Sequence, residues 1–270
     1  MLVARAAGLT IGFVPTMGAL HDGHAALLDE ARRRADIVVL SIFVNPAQFG
    51  QAEDLAKYPR SLEADTAIAL RCGVDIVFAP SADQMYPAGF DTKLRAGHLA
   101  TDLEGADRPG HFDGVVTVVA LLFSIVQPHF AVFGEKDYQQ LQLVKRMTQD
   151  LRLPLEIVPT PVIREPDGVA MSSRNTRLGP VDRERARGLS RGLVAGQDAL
   201  QRGEHEARAI VAAARATLAA AAPGAVIHYV EVRDARHLLP VTHVESTARL
   251  LIAASIGGVR LIDNGPLSPG

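Results

Sequence analysis

Two histidines, His21 and His24, lie three positions apart at the end of the segment Pro15-Thr-Met-Gly-Ala-Leu-His-Asp-Gly-His24. At the start of a helix, where backbone amides already favour anions, this spacing lets both rings face one ligand. Gly18 and Gly23 remove side chains where a phosphate or a ring would approach the backbone. The pattern favours a nucleotide triphosphate site with imidazoles donating to phosphate oxygens. A helix-capping turn with incidental histidines is the alternative, and a metal site is weaker because no further ligand is evident nearby.

Two later segments carry cations of the kind that phosphate chemistry needs. Lys136 lies in Gly134-Glu-Lys-Asp137, and the chain has only three other lysines, Lys57, Lys93 and Lys145. An ammonium at this position could neutralise charge that develops during phosphoryl transfer. Ser172, Ser173 and Arg174 offer hydroxyls and a bidentate cation, which suit a leaving pyrophosphate. An exposed turn and an ordinary polar loop are the respective alternatives.

Amide and carboxylate side chains suggest how a second substrate and a cation could be held. Gln48 and Gln140 could each donate to and accept from a small polar substrate, although either could be a surface residue. Asp65 could help to hold Mg²⁺ whose other ligands are phosphates and water. A solvated helix face is the alternative for Asp65, and we interpret the arginine runs 32–34 and 183–191 in the same way. Arg108 lies in a loop from which it could reach phosphates.

The elements that must position these residues follow from the hydrophobic pattern. Short runs that are apolar on both faces alternate with amphipathic stretches of helical period, which predicts an α/β fold with a Rossmann-like, doubly wound parallel sheet. Each polar segment follows a predicted strand or leads into a helix, so we expect them to converge at one edge of the sheet. The predicted strands are 9–14, 37–44, 74–79, 130–133 and 155–163, and the predicted helices are 25–35, 61–72, 115–126 and 138–151.

The pattern changes after Arg164, where Glu165-Pro-Asp-Gly168 is typical of a turn. Two Ala/Arg-rich helical segments, 181–202 and 204–221, precede strand-like runs at 226–232, 249–256 and 259–262. This order predicts a second, smaller α+β domain. We therefore expect one domain over residues 1–163 and another over residues 164–270.

Composition narrows the class of protein. The 270 residues are 48% hydrophobic, and 28 basic residues nearly balance 30 acidic ones, for a net charge of −2. Such a chain can bury a substantial core but lacks the basic excess that nucleic acid or an anionic membrane requires. The single cysteine, Cys72, excludes an intramolecular disulfide scaffold and favours a reducing compartment. We find neither a signal-peptide pattern nor an apolar run of membrane-spanning length, and we expect a cytoplasmic protein.

Five segments together resemble the pantothenate synthetase family. They are Pro15–His24, Ser41-Ile-Phe-Val-Asn-Pro-x-Gln-Phe49, His111-Phe-x-Gly-Val115, Phe133-Gly-Glu-Lys-Asp-Tyr-Gln-Gln140 and Met171-Ser-Ser-Arg-Asn175, in the family's order from about residue 8 to the end. The resemblance implies condensation of (R)-pantoate with β-alanine, with ATP and Mg²⁺, to pantothenate, AMP and pyrophosphate through a pantoyl adenylate. It also implies a homodimer with a smaller C-terminal lid.

The resemblance also implies roles for particular residues. His24 would be the proton donor, and His21, Lys136 and Ser172 to Arg174 would act with it on the phosphates. Gln48 and Gln140 would bind pantoate, with Asn45, Tyr58 and Arg108 as additional substrate contacts. The implied ATP-binding residues are Pro15, Thr16, Met17, Gly18, Ala19, Leu20, His21, Asp22, Gly23, His24, Gly134, Glu135, Lys136, Asp137, Ile163, Met171, Ser172, Ser173 and Arg174.

Two other functions share part of this pattern. Another small-molecule nucleotidyltransferase would have the histidines and Ser172–Arg174 but would not require Asn45-Pro-x-Gln48 or Gly134–Gln140. A non-catalytic nucleotide-binding protein with a decayed site should have lost histidine, lysine or serine within the motifs, and none is missing here. The family usually has a further strand and helix before the first motif, and here only twelve residues precede Phe13. Either the start is misassigned or that element is lacking, which would weaken folding or dimerisation.

Overall fold

The computed structural model describes residues 1–49 and 58–269. The chain divides into two compact units, an N-terminal unit of residues 1–135 and 139–161 and a C-terminal unit of residues 136–138 and 162–270. The short segment 136–138 thus packs with the C-terminal unit although its flanks on both sides belong to the N-terminal unit. The division into domains 1–163 and 164–270 did not anticipate this segment and stays a prediction.

A five-stranded parallel sheet organises the N-terminal unit, in the order β3-β2-β1-β4-β5. The alternation of strands and helices confirms the predicted α/β, doubly wound class. The strands are β1 Ile11–Thr16, β2 Ile37–Ile42, β3 Ile76–Phe78, β4 Phe130–Gly134 and β5 Glu156–Thr160. The helices are α1 Leu2–Ala6, α2 Asp22–Arg34, α3 Leu62–Arg71, α4 Ala82–Met85, α5 Glu104–Asp107, α6 His111–Val126 and α7 Tyr138–Asp150, the last beginning in the segment that packs with the other unit.

Both faces of the sheet are covered, as the two-sided apolar runs predict. On one face Phe123 of α6 makes edge-to-face contacts with Phe13 and Phe133, each at a centroid separation of 6.3 Å. On the other face Val14 and Leu28 belong to a fully buried cluster. Strand β5 ends at Thr160 and not at residue 163 as predicted. Pro159 and Pro161 lack the N–H that a longer ladder of hydrogen bonds needs. Such prolines are tolerated here because β5 is an edge strand.

The strand order places the functional loops. From β1 in the centre the chain runs outward to β2 and β3, and it then returns to place β4 on the opposite side of β1. The carboxyl ends of β1 and β4 therefore flank the point where the strand order reverses, where open α/β sheets bind their ligands. The segment with both histidines leaves β1 there, and the Gly134 motif begins at the end of β4.

The C-terminal unit packs helices α8 Pro180–Gln201 and α9 Ala207–Ala221 against an antiparallel sheet of β6 Val226–Asp234, β7 Ala248–Ile256 and β8 Val259–Leu267. Its core includes Leu193, Ile210 and Ile252. Strand β8 runs to Leu267, beyond the predicted end at 262, because Asp263-Asn-Gly265, a sequence typical of turns, pairs instead with β7. Within the described parts of the chain, every helix is too short or too polar to cross a bilayer.

Candidate active site

The two histidines form a reciprocal cap at the start of helix α2. Positive φ angles at Gly18 and Ala19, of 80° and 51°, turn the chain after β1. His21 is then the N-cap: the Gly23 N–H donates to His21 Nδ1 over 3.1 Å, and the His21 N–H donates to His24 Nδ1 over 3.3 Å. The two ring centroids lie 4.1 Å apart. The rings occupy the positions that serine and glutamate take in an ordinary capping box.

These hydrogen bonds determine which ring nitrogens can donate. A nitrogen that accepts an amide N–H carries no proton, so each neutral ring bears its proton on Nε2. Two Nε2–H donors therefore lie on the first turn of a helix whose N-terminal amides attract anions. Capping and phosphate binding are compatible because they use different nitrogens of the same rings.

Asp65 holds the turn that leads to the histidines. Its carboxylate, on a residue only 2% exposed, accepts the N–H of Ala19 over 3.0 Å and that of Leu20 over 2.7 Å. A Cβ at Gly18 would lie 2.8 Å from Asp65 Oδ2, so glycine is required both for its φ and for this approach. The solvated helix face considered for Asp65 is wrong, since the side chain is buried.

This geometry gives Asp65 a role that the sequence analysis did not consider. Both of its oxygens bind backbone amides, and within residues 1–49 and 58–269 no three His, Cys, Asp or Glu side chains are grouped to hold a metal. The described residues thus form no cage of protein ligands around Asp65. Its predicted role, as one ligand of a Mg²⁺ ion otherwise held by phosphates and water, stays a prediction.

Asp65→Asn should lower stability, because an amide can present only one acceptor to the two N–H groups. The expected loss of unfolding free energy is about 1–3 kcal/mol, the cost of an unsatisfied buried donor. Thermal and urea melts would measure it, with Glu63→Gln, the same charge change on the exposed side of α3, as the control. An unchanged melt together with a raised magnesium requirement would instead support the predicted ligand role of Asp65.

The loop after β2 buries the amides of Asn45 and Gln48, which are 1% and 7% exposed. Asn45 Nδ2 donates to Gln48 Oε1 over 3.2 Å and to the Gly114 carbonyl over 3.1 Å. Gln48 Nε2 lies 2.9 Å from Met17 Sδ and so connects this loop to the one after β1. The alternative of a surface position for Gln48 is wrong, and a buried pair of amides is suited to a small polar ligand.

His111, the first residue of helix α6, and Arg108, which ends helix α5, support this amide pair. Arg108 Nη1 lies 3.2 Å from His111 Nε2, and because a guanidinium only donates, Nε2 must accept. Nδ1 therefore carries the proton and donates to the Gln48 carbonyl over 2.8 Å. At Gly114 a Cβ would lie 2.3 Å from the Ala47 carbonyl oxygen, so only glycine allows this approach of α6. The segment His111–Val115 was recognised in the sequence, but no role for His111 was predicted.

Tyr86 is a further residue that sequence reasoning missed. Burial raises the pKa of Tyr86 to about 12, so the phenol stays protonated, and its hydroxyl donates to Asn45 Oδ1 over 2.7 Å. Nothing in the segment around Tyr86 signals this contact, because it joins residues 41 positions apart. The bond fixes the orientation of the Asn45 amide, whose nitrogen must then face Gln48.

Two further residues of the N-terminal unit, Gln140 and Tyr58, were predicted to contact the substrate, and they differ in burial and in partners. Gln140 is half-buried on α7, whereas its neighbour Gln139 is 5% exposed and donates to the carbonyls of Leu99 and Asp102. Tyr58 packs its ring edge-to-face on Phe49, with centroids 5.8 Å apart. Of the two neighbouring glutamines, Gln140 is the one available to a ligand, because the Gln139 amide is already hydrogen-bonded to backbone carbonyls.

Lys136 lies in the segment that packs with the C-terminal unit. It follows β4 in a 3₁₀ turn, Glu135–Asp137, and its side chain is 17% exposed. Its Nζ is 3.7 Å from Asp137 Oδ1, which is a loose ion pair. The ammonium is thus partly shielded from water, a setting in which a cation interacts strongly with phosphate.

The Met171–Arg174 segment closes a tight hairpin in the C-terminal unit. The Met171 N–H donates to the Ile163 carbonyl over 2.9 Å, and Arg164 and Ala170 pair as an antiparallel bridge. Ser172 caps a 3₁₀ turn, Ser173–Arg177, by accepting the Arg174 N–H over 3.3 Å. The serines and Arg174 are all half-buried, so the segment is an ordered hairpin end.

Arg183 anchors the turn of that hairpin, between Arg164 and Ala170. Its guanidinium contacts Glu165 Oε2 over 2.8 Å and Asp167 Oδ1 over 2.7 Å. Burial opposes ionisation of Asp167, but its hydrogen bonds to Arg183 and to the Val169 N–H bring its pKa below the ordinary value. The interpretation of Arg183 as solvated helix surface is therefore wrong, because the residue is held between two carboxylates.

The structure thus divides the predicted residues between two ordered groups. The N-terminal unit brings together the histidine cap, Asp65 and the Asn45–Gln48 amides, and it also holds Gly134, Glu135 and Gln140. The C-terminal unit holds Lys136, Asp137, Ile163 and the segment Met171–Arg174.

Comparison with known proteins agrees with these motifs. Residues 2–266 match the family model for pantoate-beta-alanine ligase. The pantothenate synthetase of Geobacter sulfurreducens is 52% identical over 264 residues, which are 97% of this chain and 92% of that protein. The pantothenate synthetase of Aquifex aeolicus is 50% identical over 260 residues, with 96% and 92% covered.

Solved structures show the same similarity. The pantothenate synthetase of Thermus thermophilus superposes with a TM-score of 0.92 at 47% identity, covering 95% of this chain and 92% of that one. The pantoate-beta-alanine ligase of Francisella tularensis, solved with beta-gamma ATP and beta-alanine, gives a TM-score of 0.77 at 35% identity, with 96% and 90% covered. This chain therefore belongs to the pantoate–β-alanine ligase family of enzymes.

Proposed function

We propose that this chain condenses (R)-pantoate with β-alanine at the expense of ATP, giving pantothenate, AMP and pyrophosphate. The observation that carries the proposal is the reciprocal histidine cap, which places two Nε2–H donors on the first turn of α2. Buried amides at Asn45 and Gln48 connect to the same turn through Met17. Family membership supplies the identity of the substrates.

The chemistry requires activation of a carboxylate, whose oxygen is a poor leaving group. A pantoate carboxylate oxygen attacks the α-phosphorus of ATP, the bond from that phosphorus to the pyrophosphate oxygen breaks, and pantoyl adenylate forms. The β-alanine amine then attacks the acyl carbon, the bond to the AMP oxygen breaks, and the amine proton is lost to base. The protein must align anions and offset their repulsion, and no covalent nucleophile is needed.

The described residues supply these requirements. His21 and His24 would donate from Nε2 to phosphate oxygens, with His24 as the nominated proton donor, and the α2 N-terminus would add its amides. Lys136 and Arg174 would bring positive charge to the leaving pyrophosphate, and Ser172 and Ser173 would add hydroxyl donors. The remaining motif residues, from Pro15 to Gly23, Gly134, Glu135, Asp137, Ile163 and Met171, would complete the ATP site.

Side-chain amides would bind pantoate and β-alanine. Gln48 and Gln140 would bind pantoate by donating and accepting together, with Gln48 also near β-alanine. Arg108 would be a further substrate contact, and its contact with His111, which holds the Gln48 carbonyl, supports a place beside the amides. Asn45 orients the Gln48 amide, and Tyr58 is a further contact carried by the resemblance.

The family also suggests a metal ion, an oligomeric state and a cellular location for this chain. We propose that Mg²⁺ enters with ATP, held by phosphate oxygens and water, as this ion usually is. We also propose a cytoplasmic homodimer, on the basis of the family and of the single cysteine. Sedimentation equilibrium would check the dimer, and a monomer at micromolar concentration would contradict it.

The test is isotope exchange between pyrophosphate and ATP with pantoate present and β-alanine absent. We expect exchange that depends on pantoate, because the adenylation step is then reversible without the second substrate. Full turnover to AMP on adding β-alanine is the matching control. No AMP with both substrates in a folded protein would overturn the proposed function, whereas AMP formation without exchange would mean that pyrophosphate stays bound or that the steps are concerted.

A further inference from the structure

The segment 136–138 is held by the C-terminal unit through side chains that no motif includes. Asn264 lies on β8 and is only 3% exposed. Its Nδ2 donates to the Lys136 carbonyl over 2.9 Å, a contact between residues 128 positions apart. The backbone of the proposed catalytic lysine is thus attached to a buried amide of the antiparallel sheet.

Arg249 supports the same segment from the neighbouring strand. Its Nε donates to Asn264 Oδ1 over 2.6 Å, and its guanidinium carbon lies 4.1 Å above the centre of the Tyr138 ring. The Tyr138 hydroxyl donates in turn to the Ala235 carbonyl over 2.8 Å. Arg249 is 6% exposed, so its charge is stabilised by these neighbours rather than by water.

The preceding residue on β8 holds the hairpin that leads to the other motif of this unit. Asp263, 3% exposed, forms a two-pronged pair with Arg164, with contacts of 2.7 Å and 3.0 Å. Arg164 also donates from Nη1 to the Gly168 carbonyl over 2.9 Å and bridges to Ala170, just before Met171. Adjacent residues of a strand point to opposite faces, so Asn264 contacts the Lys136 carbonyl from one face of β8 and Asp263 contacts Arg164 from the other.

We propose that Asn264 is a positioning residue for Lys136, and that the dipeptide Asp263-Asn264 keeps Lys136 in register with the Met171–Arg174 hairpin. The inference rests on the proposed function of Lys136 and deepens it. A lysine side chain is long and flexible, so a fixed carbonyl at its own residue restricts where the ammonium can lie. Asp263 and Asn264 are neighbours on one strand, so a single element holds both the Lys136 backbone and the hairpin that leads to Met171.

Asn264→Asp tests the amide with the smallest change in shape. The variant keeps an oxygen for Arg249 but replaces the donor to the Lys136 carbonyl with an acceptor. We expect pantoate-dependent exchange to fall by at least ~10-fold, because electrostatic stabilisation depends on placement of the charge. Gln197→Glu is the matched control, since Gln197 also donates from its amide to a carbonyl of β8, that of Pro266, over 3.0 Å. If thermal melting shows that Asn264→Asp does not fold, Asn264→Ala replaces it, because it also removes the donor to the Lys136 carbonyl.

A double-mutant cycle separates positioning from general support of the fold. In a Lys136→Ala background, Asn264→Asp should change the exchange rate by less than ~2-fold, because the group that it positions is gone. Equal losses in both backgrounds would overturn the inference, as would normal exchange in folded Asn264→Asp or in Lys136→Ala. If the parent chain shows no exchange but forms AMP, the cycle is measured on AMP formation. A folded parent chain that forms no AMP with both substrates would count against the proposed function itself, and not against the inference alone.

Discussion

His24→Gln is expected to lower turnover by at least ~10²-fold, the usual contribution of a positioned proton donor, while leaving the melting temperature close to that of the parent chain. Glutamine at this helix position can accept the His21 N–H as the imidazole Nδ1 does, so the cap of α2 is retained. What is lost is the imidazole Nε2–H at the N-terminus of the helix. Steady-state AMP formation and pyrophosphate exchange would measure the loss.

His24→Ala is the companion variant, because it removes the His24 half of the reciprocal cap and the proton donor together. It should match His24→Gln in turnover but melt at a lower temperature. The expected loss of unfolding free energy is ~1 kcal/mol, the typical cost of a lost cap interaction. Parent-like turnover in His24→Gln would show that the second histidine has only a capping role. The helix-capping alternative would then be correct for His24.

Lys136→Ala is the second variant for which we expect a loss of ~10²-fold or more, here in the adenylation step. The side chain is 17% exposed, so its charge acts in a partly dehydrated setting. The hydrogen bond from Asn264 is to the backbone carbonyl and is independent of the side chain, so the variant should fold. Pantoate-dependent exchange and thermal melting would separate activity from stability.

Lys93→Ala is the control for Lys136→Ala, since it removes the same charge from an exposed position. It should retain parent activity, because salt and water screen the charge of an exposed side chain. A folded Lys136→Ala protein that retains near-normal exchange would contradict the role assigned to the lysine. Lys136→Arg adds a finer comparison, since a planar guanidinium restores charge but changes the position of the donors.

Much of the architecture was predictable from local pattern. Apolar runs on both faces of a strand can be stable only between two layers of helices, so the parallel sheet followed from the sequence. The loops after β1 and β2 were found because ligand residues cluster at carboxyl ends of strands. Element ends were less predictable: Asp263-Asn-Gly265 is a turn by composition, but pairing with β7 makes it part of β8.

In the candidate site, too, local sequence pattern identifies some residues and misses those whose roles depend on distant contacts. His21, His24, Gln48 and Lys136 carry their chemistry in their own side chains, so residue type and motif spacing identify them. The roles of Asp65, His111 and Tyr86 depend on hydrogen bonds to residues 41 to 63 positions away, which no local pattern encodes. A polar group that loses contact with water must find a hydrogen-bond partner, and only the folded chain shows which partner each of these three side chains has.

The sequence by itself therefore determined the sheet, the motifs and, through resemblance, the family of this protein. The tertiary structure alone decided that the two histidines donate from Nε2, because each Nδ1 accepts a backbone N–H. It alone decided that segment 136–138 packs with the C-terminal unit, because Asn264 and Arg249 hold that segment across more than 100 positions of chain. Periodicity reports burial along one element, whereas these contacts arise between elements that folding brings together.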